Sequence, residues 1–430
     1  MDDSSHLGDG TGRCADLALF DVAPIGFAGW YVMEGAGHRV VFDADGLCVG
    51  VLVRDFVINV SVDKREVYSF DLSGRLHSAF DGAHHFRRAL NGRILEAFRH
   101  EKQPRERWFA AQESAIFLDR IHRRMADLLG GQNKTQHMAW VNGQIAGWNV
   151  QKYAEDVAKF EAVYRPVSIL PPDQYMSVVV QATLGCSWNR CHFCDFYQDR
   201  PFHIRSRQEL DRHIAEVRAF LGEGLAMRRS IFIGDANALS VSWPDVNMMF
   251  EAIQAGFPED GNGPTWRDIY VFADVFGGQK RTVSEIEYLK NMGLRRVYMG
   301  LETGCDALLR HVNKRGSADL AVDVVGRFKK AGVSVGLIVL LGLGGVRYAK
   351  DHVKETIKMF NRMPLDQGDV IYFSPLVTYP HLPYTQDKEN RPFLNSEALC
   401  AQQQEIKNAL FEGEKNKPRM AHYSISRFVY

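Results

Sequence analysis

The sequence has no second paired-cysteine motif. Of its seven cysteines, Cys14, Cys48, Cys305 and Cys400 each stand alone, as buried or partly buried thiols do, and an auxiliary metal cluster finds no C-x2-C pair to sit on. It also lacks charge of one sign. Lys plus Arg and Asp plus Glu both number 52, so there is no general pull toward nucleic acid or an anionic membrane surface. The local basic runs HHFRR (84–88) and RHEKQPRER (99–107) read as solvated faces. There is no 18-residue apolar run, and the longest apolar stretch, Val333 to Leu343, is interrupted by glycines. A buried strand suits it better than a membrane helix. The first residues, MDDSSHLGDGTGR, have neither the form of a signal peptide nor that of an Arg-rich transit peptide. A cytoplasmic protein without membrane contact is expected. The remaining composition, 46% hydrophobic and 24% charged over 430 residues, is that of an ordinary globular chain with room for two or three domains.

What is present centres on Val178 to Arg205, VVVQATLGCSWNRCHFCDFYQDRPFHIR. Cys186, Cys191 and Cys194 lie there in C-x4-C-x2-C spacing, in a loop between an apolar run and a helical pattern. Thiols clustered this way, with no secretory context, point to a metal site rather than to disulfides. Three thiolates leave a [4Fe–4S] cluster one iron short of full cysteine ligation, and the open iron can take a small molecule. A zinc knuckle with His192 as fourth ligand is the other reading of the loop.

Along the chain, residues 1–15 read as disordered. Residues 16–75 are β-rich, with HRVVF, VGVLVRDFVINVSV and EVYSFDL separated by Asp-Gly and Ser-Gly turn signals. Tyr68 to Phe80 reads as a hairpin. Glu113 to Leu129 carries Ile116, Phe117, Ile121, Met125 and Leu128 at a near-helical period. Pro166, Pro171 and Pro172 then mark a boundary near 166–175. Beyond it, strand, loop and helix repeat. Strands are expected at 177–182, 230–234, 269–273, 296–302, 333–342 and 369–374. Helices start at the capping boxes Ser206/Glu209 and Thr282/Glu285. Six β/α units in about 200 residues call for a parallel sheet with helices outside.

Together, the cysteine loop after the first strand and the elements at later strand ends resemble the radical SAM superfamily. The resemblance covers about residues 175–375. It implies an α/β fold with a partial (β/α)6 TIM-like barrel over 175–380. Around it stand an N-terminal α+β accessory domain at 16–165 and a C-terminal extension at 381–430 that closes the barrel. It implies a [4Fe–4S] cluster on Cys186, Cys191 and Cys194, whose fourth iron is chelated by S-adenosylmethionine. Phe193 fits the aromatic place before the last cysteine, and Phe193 or Tyr197 would lie against adenine. Gly234 and Asp235 loosely match the element that receives the methionyl amino group. Glu302, in GLETG (300–304), would accept from the ribose hydroxyls or help to hold the substrate, and a carboxylate on so apolar a strand is costly unless partnered. Lys314 would reach the methionyl carboxylate, in preference to Arg315. Gly342 and Gly344, in GLGG (342–345), would sit beside adenine. Tyr379, His381 and Tyr384 are candidates for the substrate pocket. No residue is assigned a catalytic role in the reaction with substrate.

By this resemblance the chain reductively cleaves S-adenosylmethionine to a 5′-deoxyadenosyl radical. That radical takes a hydrogen atom from a small organic metabolite or natural-product intermediate. A low-potential donor such as flavodoxin or ferredoxin is implied. The lack of a D-x-H-x-x-G element disfavours a cobalamin-dependent enzyme. Two further readings stand beside this one: modification of tRNA or a peptide by the same chemistry, and a non-catalytic iron–sulfur or zinc protein.

Overall fold

The structure is a computed structural model that describes residues 22–24, 29–34, 37–44, 46–98, 106–132, 136–258, 268–411, 416–428 and 430. The segment 1–15, expected to be disordered, lies outside these residues, as does most of the basic run at 99–107. The chain divides into two compact units. One holds the residues up to Val163 with Arg218–Met227 and Val429–Tyr430; the other holds Tyr164–Val217 and Arg228–Phe428.

The first unit is a meander. Its strands are β1 (Val22–Pro24), β2 (Gly29–Glu34), β3 (Gly37–Ala44), β4 (Leu47–Arg54) and β5 (Val57–Val62). They continue as β6 (Glu66–Asp71), β7 (Leu76–Phe80), β8 (His84–Arg88), β9 (Ile94–Phe98) and β10 (Glu106–Trp108). Each pairs antiparallel with the next. In β5, buried and half-buried residues alternate along VINVSV, as a sheet with one covered face requires. The expected hairpin is β6–β7. Three helices follow: α1 (Ala111–Leu129), α2 (Gln136–Ala146) and α3 (Val150–Val163). Phe117, Leu118, Ile121 and Met125 bury the apolar stripe of α1, but Ile116, counted on that stripe from the sequence, is 63% exposed. One residue of offset turns a side chain by about 100° on a helix, and Leu118 takes the inward place. Asp156 of α3 holds two buried arginines, Arg75 at 2.7 Å and Arg88 at 2.9 Å, so those charges are enclosed with a partner.

The second unit starts with β11 (Ser177–Gln181), then a short pair, β12 (Thr183–Leu184) and β13 (His203–Ile204). From α4 (Arg207–Leu221) onward, strands and helices alternate. They are β14 (Ser230–Gly234), α5 (Trp243–Gly256), β15 (Ile269–Ala273), the single turn α6 (Val275–Gly278), and α7 (Val283–Asn291). Next come β16 (Leu294–Glu302), α8 (Asp306–His311), α9 (Ala318–Lys330), β17 (Ser334–Leu341) and α10 (Gly345–Phe360). The chain ends through β18 (Val370–Pro375), α11 (Pro383–Gln386), α12 (Ser396–Ala409) and β19 (Arg419–His422). Strands β11, β14, β15, β16, β17, β18 and β19 form one sheet in chain order, each parallel to its neighbour. All of β11 and β14 is buried, as in sheets covered on both faces. Both capping boxes form: Ser206 and Glu209 exchange hydrogen bonds of 2.7 and 3.3 Å, and Thr282 and Glu285 do the same. The sheet has one strand more than the six expected, because the tail supplies β19. No helix of the described residues is long and apolar enough to cross a membrane.

On α10, His352 is fully buried and neither ring nitrogen has a hydrogen-bond partner. Burial lowers its pKa from 6.5 to about 4. The folded state therefore favours neutral imidazole, while the unfolded chain takes a proton below about pH 6.5. Above that pH no penalty applies. As pH falls toward about 4, this one group is expected to remove roughly 3 kcal/mol of stability. Urea titrations of wild type and His352→Leu at pH 7.5 and 5 should show the variant losing less. Equal losses would exclude His352 as a source.

Candidate active site

The C-terminal ends of parallel strands are where an α/β sheet gathers its loops, and here they carry the polar residues. The cysteine loop leaves β11 and is closed at its base by the antiparallel pair β12–β13, with Thr183 opposite Ile204 and Leu184 opposite His203. It is pinned along its length. Trp188 Nε1 donates to the carbonyl of Asn313 at 2.8 Å, His192 N to Val312 O at 3.0 Å, and Asn313 Nδ2 to Arg190 O at 2.9 Å. Tyr384 N donates to His192 O at 3.0 Å. At the base, the Asp235 carboxylate accepts from Gln181 Nε2 at 2.9 Å and Gly185 N at 3.1 Å, and lies 3.6 Å from Arg200. Burial pushes the Asp235 carboxyl up, against Arg200 and these donors.

Cys186, Cys191 and Cys194 are free thiols and line one cavity of about 1260 Å³, counting the open solvent at its mouth. Burial pushes the Cys191 thiol up to about 11 and Cys194 to about 12. The Cys186 sulfur accepts from Asn189 N at 3.4 Å and from Asn237 Nδ2 at 3.7 Å. Asn237 also donates to Asp274 Oδ2 at 2.8 Å. Asp274, immediately after β15, caps α6.

The opposite charges come from β16 and the segment after α8. The pairing of β16 with β17 slips between Gly300 and Glu302: Gly300 faces Ile338, Glu302 faces Val339, and Leu301 is the extra residue. Glu302 has φ +64°. A bulge of this kind re-aims a side chain, and here it brings Glu302 into the cavity lining. A Cβ on Gly300 would lie 2.3 Å from Glu302 Oε1, so only glycine leaves that carboxylate its place. Lys314 Nζ pairs with Glu302 Oε1 at 3.1 Å. Burial would lower the Lys314 pKa, but Glu302, Cys191 and Asp274 outweigh it and raise the pKa above the ordinary lysine value. The Arg315 guanidinium stacks over Trp188 at 3.7 Å and Phe276 at 4.6 Å.

The expected residues do not all meet. The three cysteines, Phe193, Tyr197, Glu302 and Lys314 line this cavity. Gly234 and Asp235 are not among its lining residues; the adjacent Ala236 and Asn237 are, and Asp235 braces the loop instead. Gly342 and Gly344 also stand outside the lining. Gly342 N donates to Gln402 of α12 at 2.8 Å, and Gly344 N to the Tyr384 hydroxyl at 2.8 Å. Ile338 and Leu340 of β17 reach the cavity in their stead. Tyr384 is buried and His381 is paired with Asp195 at 3.0 Å; neither lines the cavity. Sequence reasoning missed Trp188, Asn237, Asp274 and Ser374. Asp274 alone carried a visible signal, a carboxylate directly after an expected strand.

Residues 180–360 match the family model of the radical SAM superfamily. The match contains the cysteine loop and both charged residues of the Glu302–Lys314 pair.

Residues 180–360 form a radical SAM domain.

That domain supports an enzyme with a [4Fe–4S] cluster and S-adenosylmethionine as its cofactors. No curated protein matches the chain in sequence. Among solved structures it is similar to the radical S-adenosylmethionine methyltransferase TsrM from Kitasatospora setae (17% identity, 52% of this chain and 42% of that one, TM-score 0.38). It is also similar to coproporphyrinogen III oxidase HemN from Escherichia coli (14%, 55% and 53%, 0.38). A third is HydG, a maturase of the [FeFe]-hydrogenase (14%, 72% and 68%, 0.39). The chain thus spans about half the length, or less, of the first two. The assignment rests on the family match and on the site.

The donor set of this radical SAM chain fits the cluster. One tetrahedral zinc, with Zn–S near 2.3 Å, gathers its ligands within roughly 4 Å of one another. Among the described residues, the cysteine sulfurs and His192 make no group with ligand atoms all within 4.8 Å. Sulfurs that each bind a different iron stand farther apart, and three thiols leave one iron free.

Proposed function

We propose that this radical SAM enzyme reductively cleaves S-adenosylmethionine and uses the 5′-deoxyadenosyl radical to take a hydrogen atom from a small organic substrate. The convergence of three free thiols with Asn237, Asp274, Glu302, Lys314 and Arg315 on one cavity carries the reading. Cys186, Cys191 and Cys194 would hold the cluster, which supplies one low-potential electron and an open iron; a donor such as flavodoxin or ferredoxin would renew it.

The chain's own residues position and exclude. Asp235 and Arg200 hold the base of the cysteine loop. Glu302 keeps one carboxylate oxygen on Lys314, and the other is free among the described residues to accept from a ribose hydroxyl. Asp274, its donors already in place, offers negative charge to an ammonium. Lys314, held charged against Glu302, is spent on that pair. Arg315 has no carboxylate partner among the described residues, and stacking leaves the edge of its guanidinium free. We therefore assign the methionyl carboxylate to Arg315, with Lys314 behind it. Phe193, Tyr197, Ile338 and Leu340 give apolar surface for adenine.

Anaerobic reconstitution followed by S-adenosylmethionine and dithionite should yield 5′-deoxyadenosine. A reconstituted protein with a full cluster, no product and no change in its EPR spectrum on adding S-adenosylmethionine would overturn the reading. Arg315→Ala is expected to weaken S-adenosylmethionine binding about tenfold or more, the worth of a charge-assisted hydrogen bond. Arg315→Lys should recover part of it. If Lys314→Met weakens binding more than Arg315→Ala does, the two roles are reversed.

A further inference from the structure

The same cavity has a second face that the S-adenosylmethionine reading leaves unused. It is built outside the repeating β/α units. Ser168 Oγ donates to Phe196 O at 2.7 Å, and the Tyr423 hydroxyl to Leu170 O at 2.8 Å. These two ties place Ile169 between Phe196 of the cysteine loop and Tyr423 of the tail. All three line the cavity, with Leu376, Val377 and Ile425. Ile169, Phe196, Leu376, Val377 and Ile425 are only half buried, so their apolar surface is available to a ligand.

No free charge faces them. Glu302 and Lys314 neutralise each other at 3.1 Å. Asp274, held by Asn237 and the backbone of α6, is taken by the methionyl ammonium. Arg315 is taken by the methionyl carboxylate. One polar side chain at the end of β18 remains, Ser374, 2% exposed, whose hydroxyl has no hydrogen bond among the described residues.

We infer that the substrate is an uncharged, mainly apolar small molecule, seated against Ile169, Phe196, Val377 and Ile425 with one hydrogen-bonding group on Ser374. This rests on the reading of the cavity as an S-adenosylmethionine site. A phosphate or carboxylate substrate would find no partner cation here, and an unpaired charge entering apolar surface loses its hydration without return. A hydroxyl or carbonyl loses little, because Ser374 can donate or accept.

Three isosteric probes test the inference: 4-phenylbutan-1-ol, 4-phenylbutanoate and 4-phenylbutylamine. Each is titrated at pH 7 against the full reconstituted chain with S-adenosylmethionine present, by saturation-transfer NMR. The alcohol should bind at least tenfold more tightly than either ion. Ile425→Asp and Val377→Asp should each weaken the alcohol at least tenfold in protein whose circular dichroism is unchanged. Ser374→Ala should weaken the alcohol several-fold and leave n-butylbenzene, which has no hydroxyl, unaffected. Equal or tighter binding of either ion, no binding of any probe, or insensitivity to both Asp variants would overturn the proposal. Formation of 5′-deoxyadenosine, measured in the same preparations without probe, reports separately on the cofactor reading. Cleavage without the selectivity sinks only the substrate class, and selectivity with neither cleavage nor an EPR change on adding S-adenosylmethionine sinks only the cofactor role.

Discussion

Cys191→Ala is expected to bring S-adenosylmethionine cleavage down to background. The reconstituted variant should also fall well short of the roughly four irons per chain that a [4Fe–4S] cluster carries. The three thiols come from one loop, and two of them are driven up by burial to about 11 and about 12. Neutral thiols suit that apolar wall, whereas thiolates there need iron. Two cysteines leave two irons open instead of one, and water or buffer competes for both. Cys186→Ala and Cys194→Ala should behave alike. The loop's frame is made chiefly by Trp188, Asn313 and Asp235, and only the Cys186 sulfur adds long hydrogen bonds to it, so the thermal melt of each apo-variant should stay near that of the apo-wild type. Iron analysis, the visible spectrum and 5′-deoxyadenosine yield decide the matter. A Cys191→Ala protein with full iron and full cleavage would remove this residue from the ligand set.

The second large effect is expected at Glu302. Its side chain is 11% exposed and that of Lys314 16%, so the pair is largely withdrawn from water. Glu302→Gln keeps the shape but leaves the ammonium with less opposing charge. Removing one partner of a buried pair costs about 3–5 kcal/mol, while replacing both costs far less. We expect a loss of about 3 kcal/mol for Glu302→Gln and a similar loss for Lys314→Met. The double variant should lose less than the sum by at least about 1 kcal/mol, the mark of residues in contact. Urea denaturation read at constant m-value measures all three. Strict additivity would show that the two charges do not depend on each other. In the single variant Lys314 loses the first of the influences that hold its pKa high, so its ammonium should titrate lower than in wild type.

Much of the second unit was legible in the sequence because parallel strands, buried on both faces, are written as continuous apolar runs. Ser230–Gly234 and Ile269–Ala273 fall where the runs SIFIG and IYVFA lie. The capping boxes at Ser206 and Thr282 needed only local hydrogen bonds, so spacing sufficed. The seventh strand was not legible. Arg419–His422, RMAH, has no β-branched run, and it becomes a strand by pairing with β18. The first unit gave fewer cues. Its β-branched runs announced strands, but a meander of ten follows from pairing, not from local preference.

The site divides along the same line. By itself the sequence determined the candidate ligands that are close in the chain: three thiols at fixed spacing in one loop, with an aromatic residue between the last two. It also fixed which strand ends would carry glycine and carboxylate, because strand order follows chain order. Tertiary structure alone decided which of those groups meet. The bulge at Leu301 turns Glu302 to Lys314, twelve residues away. Stacking on Trp188 sets Arg315 apart from its neighbour in the chain. Asp235 is drawn to the base of the cysteine loop, leaving Asn237 to face the cavity, and Gly342 and Gly344 are taken up by α12 and Tyr384. The apolar wall joins Ile169 to Ile425 across more than half the chain. Such pairings depend on long-range register and on which charges burial forces together, and neither is encoded in the spacing of neighbouring residues.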